Sequence, residues 1–133
     1  MANRILIADA DPALSEVYRE HLVALGFVVR MAADGLACVN LLRQFRPDVL
    51  LLSTSLPWGG CDGVLAMLKE EPDLRPQFVV ILATPSEQNM LYRVASCHPD
   101  DYQFKPFSPM RLEAYIGNLL RERVDLACPS TSG

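Results

Sequence analysis

The sequence predicts an α/β domain of five βα units, with a parallel sheet doubly wound by helices on both faces. Three observations predict it. Wholly apolar runs, lacking the polar alternation of a half-exposed strand, recur at Ile5 to Ala8, Val49 to Leu52 and Phe78 to Ala83. Between them lie longer stretches whose apolar residues return every three or four positions. At 133 residues the chain has the length of one domain, able to bury about two thirds of its unfolded surface without a disulfide or metal staple.

Ile5 to Ala8 is the first strand. Asp11 caps the helix that follows, and Pro12 suits its first position because the missing N–H has no partner there. Leu14, Val17, Tyr18, Leu22 and Leu25 form its expected inward face, with Gly26 as a left-handed stop. Phe27 to Met31 is the second strand. Asp34 opens a second helix with Leu36, Val39, Leu42 and Phe45 inward, ended by Pro47. After the third strand, Val49 to Leu52, Leu65 and Leu68 mark a helix closed by Pro72. Phe78 to Ala83 is the fourth strand, and Ser86 caps a helix with Met90, Leu91 and Val94 inward. Tyr102 to Phe104 is a short fifth strand. Ser108-Pro109 starts the last helix, with Leu112, Tyr115, Ile116, Leu119 and Leu120 on one face.

Half of the residues are hydrophobic and 21% are charged, which excludes a disordered or collagen-like chain. Twelve Lys and Arg against 16 Asp and Glu give a net charge of −4, so no basic face recruits phosphate backbones and nucleic acid is not expected as a direct partner. Cys38, Cys61, Cys97 and Cys128 contain no Cys-x-x-Cys pair and read as reduced thiols. Only four consecutive apolar residues, Ile5 to Ala8, lead up to Asp9, too few for a signal-peptide core, and no apolar run approaches membrane-spanning length. The expectation is a soluble, cytoplasmic domain that does not contact a membrane, with no room beside it for an output domain and with a polar tail at Pro129 to Gly133.

In such a sheet ligands bind beyond the carboxyl ends of the strands. Asp9, Ala10 and Asp11, Ser53 to Ser55, Ala83 and Thr84, and Lys105 fall there. Asp11 serves as a helix cap. Ser53 lacks the Gly-x-Ser-x-Gly surroundings of a hydrolase nucleophile, and neither His21 nor His98 has a reason to face it. Cys61 reads as an exposed loop thiol of no particular consequence.

Arg4-Ile-Leu-Ile-Ala-Asp-Ala-Asp-Pro12, Arg46-Pro-Asp-Val-Leu-Leu-Leu-Ser53, Leu56-Pro57, Asp62-Gly63, Asp100-Asp-Tyr102 and Lys105-Pro-Phe107 follow one another at characteristic intervals. Across residues 4 to 121 the chain thereby resembles the receiver domain of two-component response regulators. The resemblance implies a flavodoxin-like fold with strand order 2-1-3-4-5, in which a phosphohistidine donor passes its phosphoryl group to an aspartate at the end of strand three. It further implies residues 1–124 as the receiver-like domain and 125–133 as a flexible tail or linker. That chemistry asks for an acidic pair to hold Mg²⁺, a carboxylate nucleophile, a hydroxyl after strand four and a lysine after strand five.

Placed on this chain, the first acid of the pair is Asp9, but the second falls on Ala10. Mg²⁺ binding is therefore expected to be weak or absent, and Asp9 is expected to pair with Lys105 instead. The phosphoacceptor position falls on Ser53, whose hydroxyl has no carboxylate from which to form an acyl phosphate. The hydroxyl position falls on Ala83, or on Thr84 after a slip of one residue. Lys105 and the switch aromatic Tyr102 match, and Lys105-Pro106 is a bond that the family typically holds cis. The Leu56 to Gly63 loop is about two residues longer than the usual family form, so Trp58 is either a partner-binding tip or folds back over the loop.

These departures point to a degenerate receiver that is not an enzyme, needs no cofactor and signals through protein contact. The expected surface, also the route to a homodimer, is the face of the fourth helix, fifth strand and fifth helix, with Arg93, Tyr102, Arg111 and Arg121. Two alternatives stay open: a flavodoxin-like module binding a small ligand, against which the acidic Asp9 to Ala13 turn would repel phosphate, and regulation by kinase phosphorylation of Ser53.

Overall fold

The computed structural model describes residues 3–56, 60–83, 99–104 and 108–127. They form β1 (Arg4–Ala8), α1 (Pro12–Ala24), β2 (Val28–Ala32), α2 (Gly35–Gln44), β3 (Val49–Ser53), α3 (Gly60–Glu70), a 3₁₀ turn (Pro72–Leu74), β4 (Phe78–Ala83), β5 (Asp101–Phe104) and α4 (Pro109–Ala127). The strands make one parallel sheet in the order β2-β1-β3-β4-β5. The expected flavodoxin-like architecture is the one observed. The helix expected from Ser86 lies outside the described residues, as do Trp58, Thr84, Arg93, His98, Cys97, Lys105 and Cys128. α4 runs to Ala127, into the segment expected as tail, and 128–133 are outside the described residues.

Successive strand residues point to opposite faces, which explains the unbroken apolar runs. On one face Leu6, Ala8, Leu50, Leu52, Val79 and Ile81 pack against Cys38 and Leu42 of α2 and against Cys61, Val64, Leu65 and Leu68 of α3. On the other, Ile5, Ile7, Val49, Leu51, Val80 and Leu82 meet Tyr18 and Leu22 of α1 and Leu112 and Ile116 of α4. Every residue of the central strand β3 is buried.

The caps sit where their chemistry requires. Asp11 Oδ1 accepts from the N–H groups of Ala13 and Leu14 at 3.1 and 3.2 Å, ahead of Pro12 at the first helical position. Asp34 Oδ1 accepts from Ala37 N–H at 2.8 Å, and Ser108 Oγ from Arg111 N–H at 3.1 Å. Gly26, at φ +98°, ends α1 as expected. α2 stops at Gln44, and Arg46 takes φ +53° ahead of Pro47 while its guanidinium donates to the Asp73 carbonyl at 2.9 Å.

Three expectations about faces are corrected. The inward stripe of α1 is Ser15, Tyr18 and Leu22, leaving Val17 and Leu25 exposed. The stripe of α2 is Gly35, Cys38 and Leu42, and Leu36, well round the helix from it, is 67% exposed. Cys61 is no loop thiol: it lies in the first turn of α3 and is buried. Cys38 is likewise free and buried, with its thiol pushed up to about 12 by burial and by the nearby Asp34 charge. The Cys38 thiol is therefore no reactive thiolate. Among the described residues, no helix is long and apolar enough to cross a membrane.

Urea unfolding checks this account. Leu50→Ala, in the doubly covered centre of β3, is expected to cost about 3 kcal/mol. Loss of the α2 cap in Asp34→Ala should cost about 1 kcal/mol, and Leu36→Ala less than about 0.5 kcal/mol.

Candidate functional site

The loops that follow β1 and β3 meet at one end of the sheet. Ala8 is level with Leu52, so Asp9 and Ser53 are the next residues on two adjacent strands, which in a sheet stand about 5 Å apart. Both are buried, Asp9 to 2% exposure and Ser53 to 0%. The Asp9 N–H donates to the Ala32 carbonyl at 3.0 Å, extending the β1–β2 ladder by one bond. Its Oδ1 accepts from Asp11 N–H at 3.0 Å, so the acid is turned into the loop that starts α1.

Ser53 ends β3 level with Leu82 of β4, and Thr54 N–H donates to the Leu82 carbonyl at 3.0 Å. The Ser53 hydroxyl shares a hydrogen bond of 2.8 Å with the Ser55 hydroxyl and accepts from Ser55 N–H at 3.2 Å. A serine hydroxyl becomes a good nucleophile only where a general base takes its proton. Ser55 itself is exposed.

Ala10, exposed, brings no donor, and Asp11 is engaged as the helix cap, as its place before Pro12 implied. Ala83 ends β4 level with Phe104. Thr84 and Lys105 fall outside the described residues, so neither the choice between Ala83 and Thr84 nor the Asp9–Lys105 pairing is resolved by the geometry. His21 is directed to α4, its Nδ1 2.8 Å from Glu113 Oε1.

Tyr18 is the residue that sequence reasoning missed. Read as ordinary core, it is buried on α1, and its phenol is pushed above the usual tyrosine range by burial and then by the charges of Asp9 and Asp11. Helical periodicity could place Tyr18 inward; only the packing of α1 over β1 could bring it under the influence of Asp9.

At the far edge of the sheet Tyr102 is half-buried, level with Ile81, and packs against the cluster beneath α2 and α3. Its neighbour Asp101 collects three donors: Tyr102 N–H at 2.8 Å, Gln103 Nε2 at 3.0 Å and the Tyr115 hydroxyl of α4 at 2.5 Å. Burial, and then this bond to Asp101, raises the Tyr115 phenol. Arg111 and Arg121 are exposed on α4.

With Tyr18 and Tyr115 both raised, the stability they contribute is present below about pH 10 and is lost as pH rises through and beyond that value. The urea midpoint is expected to fall above about pH 10. Tyr115→Phe should flatten that fall, while costing about 1 kcal/mol at neutral pH through the lost hydrogen bond.

Comparison with known proteins agrees with this geometry. A family model described as the response regulator receiver domain matches residues 5–117. The DNA-binding response regulator MtrA of Mycolicibacterium smegmatis is 32% identical over 94% of this chain and 54% of its own length. The phosphate regulon transcriptional regulatory protein PhoB of Klebsiella pneumoniae is 35% identical over 91% of this chain and 53% of its own. The chain thus spans about half the length of the curated relatives it matches. Among solved structures, the receiver domain of a signal transduction histidine kinase from Syntrophus aciditrophicus superposes with a TM-score of 0.80 at 27% identity, covering 91% of this chain and 92% of that one. A CheY-like receiver protein from Methanospirillum hungatei JF-1 gives 0.81 at 21% identity, covering 94% and 98%, a likeness of fold. On the match of residues 5–117, the chain belongs to the response regulator receiver domain family.

Proposed function

We propose that this receiver domain works in two-component signalling without forming an acyl phosphate, as a degenerate receiver whose output is protein contact. The observation that carries the reading is Ser53. At the end of β3, where the resemblance puts the phosphoacceptor, stands a buried hydroxyl bonded to Ser55. An acyl phosphate needs a carboxylate oxygen as nucleophile, and the side chain offers none.

The donor set beside it suits Mg²⁺ poorly. That ion demands near-octahedral oxygen coordination, commonly through one or two carboxylates with waters and phosphate oxygens. Asp9 already accepts from Asp11 N–H, Ala10 contributes only a methyl group, and Asp11 is the α1 cap. No step of the proposed function passes through a metal or other cofactor, and the domain is proposed to catalyse no reaction.

The proposed partner is a protein of the signalling pathway in the cytoplasm. The exposed Arg111 and Arg121 of α4, the helix that Tyr115 ties to Asp101 of β5, support contact or homodimerisation through that face. The net charge of −4 argues against direct contact of these residues with nucleic acid. The name of MtrA says that that protein binds DNA; this chain covers 54% of it. Phosphorylation of Ser53 by a separate kinase is disfavoured by its complete burial.

Incubation with radiolabelled acetyl phosphate and Mg²⁺ tests the reading. The unaltered chain is expected to take up no label, and Asp9→Ala to leave its response to Mg²⁺ unchanged. Ala10→Asp combined with Ser53→Asp is expected to acquire a hydroxylamine-sensitive label. Such a label on the unaltered chain would overturn the proposal.

A further inference from the structure

We propose that Arg4, Arg30 and Phe45 form a docking site for a short acidic segment of a partner protein, toward the end of the sheet opposite Asp9 and Ser53. Arg4 opens β1, and Arg30 lies in the middle of β2. Arg4 is level with Val28 and Leu6 with Arg30, and Leu6 belongs to the cluster under α2 and α3. The two arginines therefore rise from one face of neighbouring strands, two residues apart in register.

Both approach the ring of Phe45, the C-cap of α2. The Arg4 guanidinium carbon is 5.9 Å from the ring centroid and that of Arg30 is 5.6 Å from it. Phe45 is only 9% exposed, yet it belongs to neither apolar cluster of the core. Guanidinium groups stacked on an aromatic ring keep their N–H donors at the rim, pre-oriented toward water.

The other arginines of this end have protein acceptors. Arg43 is paired with Glu71 at 2.6 Å, Arg46 donates to the Asp73 carbonyl, and Arg75 meets Asp100 at 3.5 Å. Neither Arg4 nor Arg30 has a carboxylate within ion-pair distance among the described residues. Asp48, beside the start of β1, uses its carboxylate on the Arg4 main-chain N–H at 2.8 Å. Two cationic forks thus converge on one ring in a chain of net charge −4.

The chemistry that completes such a pair is two carboxylates close together in sequence, each taken by one planar guanidinium. β2 is an end strand of the sheet, and its exposed Val28, on the same face as Arg30, offers apolar surface to the rest of an extended segment. Nucleic acid fits less well. Two unmatched cations neutralise only about two phosphates, against the repulsion of an acidic domain. The site is independent of the chemistry at Ser53, so it stands or falls separately from the proposed function.

A capped, fluorescein-labelled hexaglutamate peptide, titrated with the full chain and followed by anisotropy at low salt, is the test. Saturable binding with Kd below about 1 mM is expected. Arg4→Gln with Arg30→Gln should weaken it by about tenfold or more, and Arg43→Gln should leave it unchanged. Arg30→Glu, a single reversal at an exposed strand position, gives an independent reading if the double variant is unstable. No saturation, binding indifferent to Arg4 and Arg30, or an equal loss in Arg43→Gln would overturn the proposal. So would tighter binding of an oligonucleotide of the same charge, or a self-association of the chain that the Arg4 and Arg30 changes abolish.

Discussion

A parallel sheet covered by helices on both faces leaves its central strands no contact with water, and the rest of this structure follows from that constraint. Val49, Leu50, Leu51, Leu52 and Ser53 are all at 0% exposure. Backbone groups in such a strand must be matched by neighbouring strands, because an unmatched buried N–H or C=O costs about as much as a lost hydrogen bond. Where the ladder begins, carboxylates complete it: Asp48 accepts from Arg4 N–H, and Asp100 from Val79 N–H at 2.7 Å. Polar side chains are driven to the strand ends, and the end with the turns into α1 and α3 gathers Asp9, Ser53, Thr54 and Ser55.

The same burial governs what the site can hold. Two carboxylates on adjacent strand ends, about 5 Å apart at an effective dielectric near 20, repel by about 3 kcal/mol, and each also carries a desolvation cost. A cation between them offsets both terms. With a hydroxyl at position 53 the repulsion disappears, and local bonds satisfy the groups: Ser53 with Ser55, Asp9 with Asp11 N–H.

Local chemistry was readable wherever a residue acts on its own turn. Asp11, Pro12, Gly26, Asp34 and Ser108 act as caps or stops through contacts within four residues of themselves, and they stand where the sequence implied. The strands were legible because burial on both faces leaves unbroken apolar runs, with ends off by one residue at Arg4, Val28, Ala32, Ser53 and Asp101. Helix faces were less legible. In α1 the apolar residues cover an arc wider than the sheet contact, so Ser15 lies inside and Val17 outside. A polar residue in an inward stripe carries no apolar signal, and an exposed valine carries a false one.

From the sequence alone came the class of fold and the identity of the residues, Asp9 and Ser53 among them, that stand at the carboxyl ends of the strands. These depend on periodicity, on turn chemistry and on residue identity, all properties of short stretches. Tertiary structure alone decided which groups meet across the chain: Tyr18 near Asp9, Asp101 with Tyr115, and Arg4 and Arg30 over Phe45. Each of these joins residues on different elements. Their distance is set by how the helices and strands pack against one another, and no local pattern in the chain encodes it.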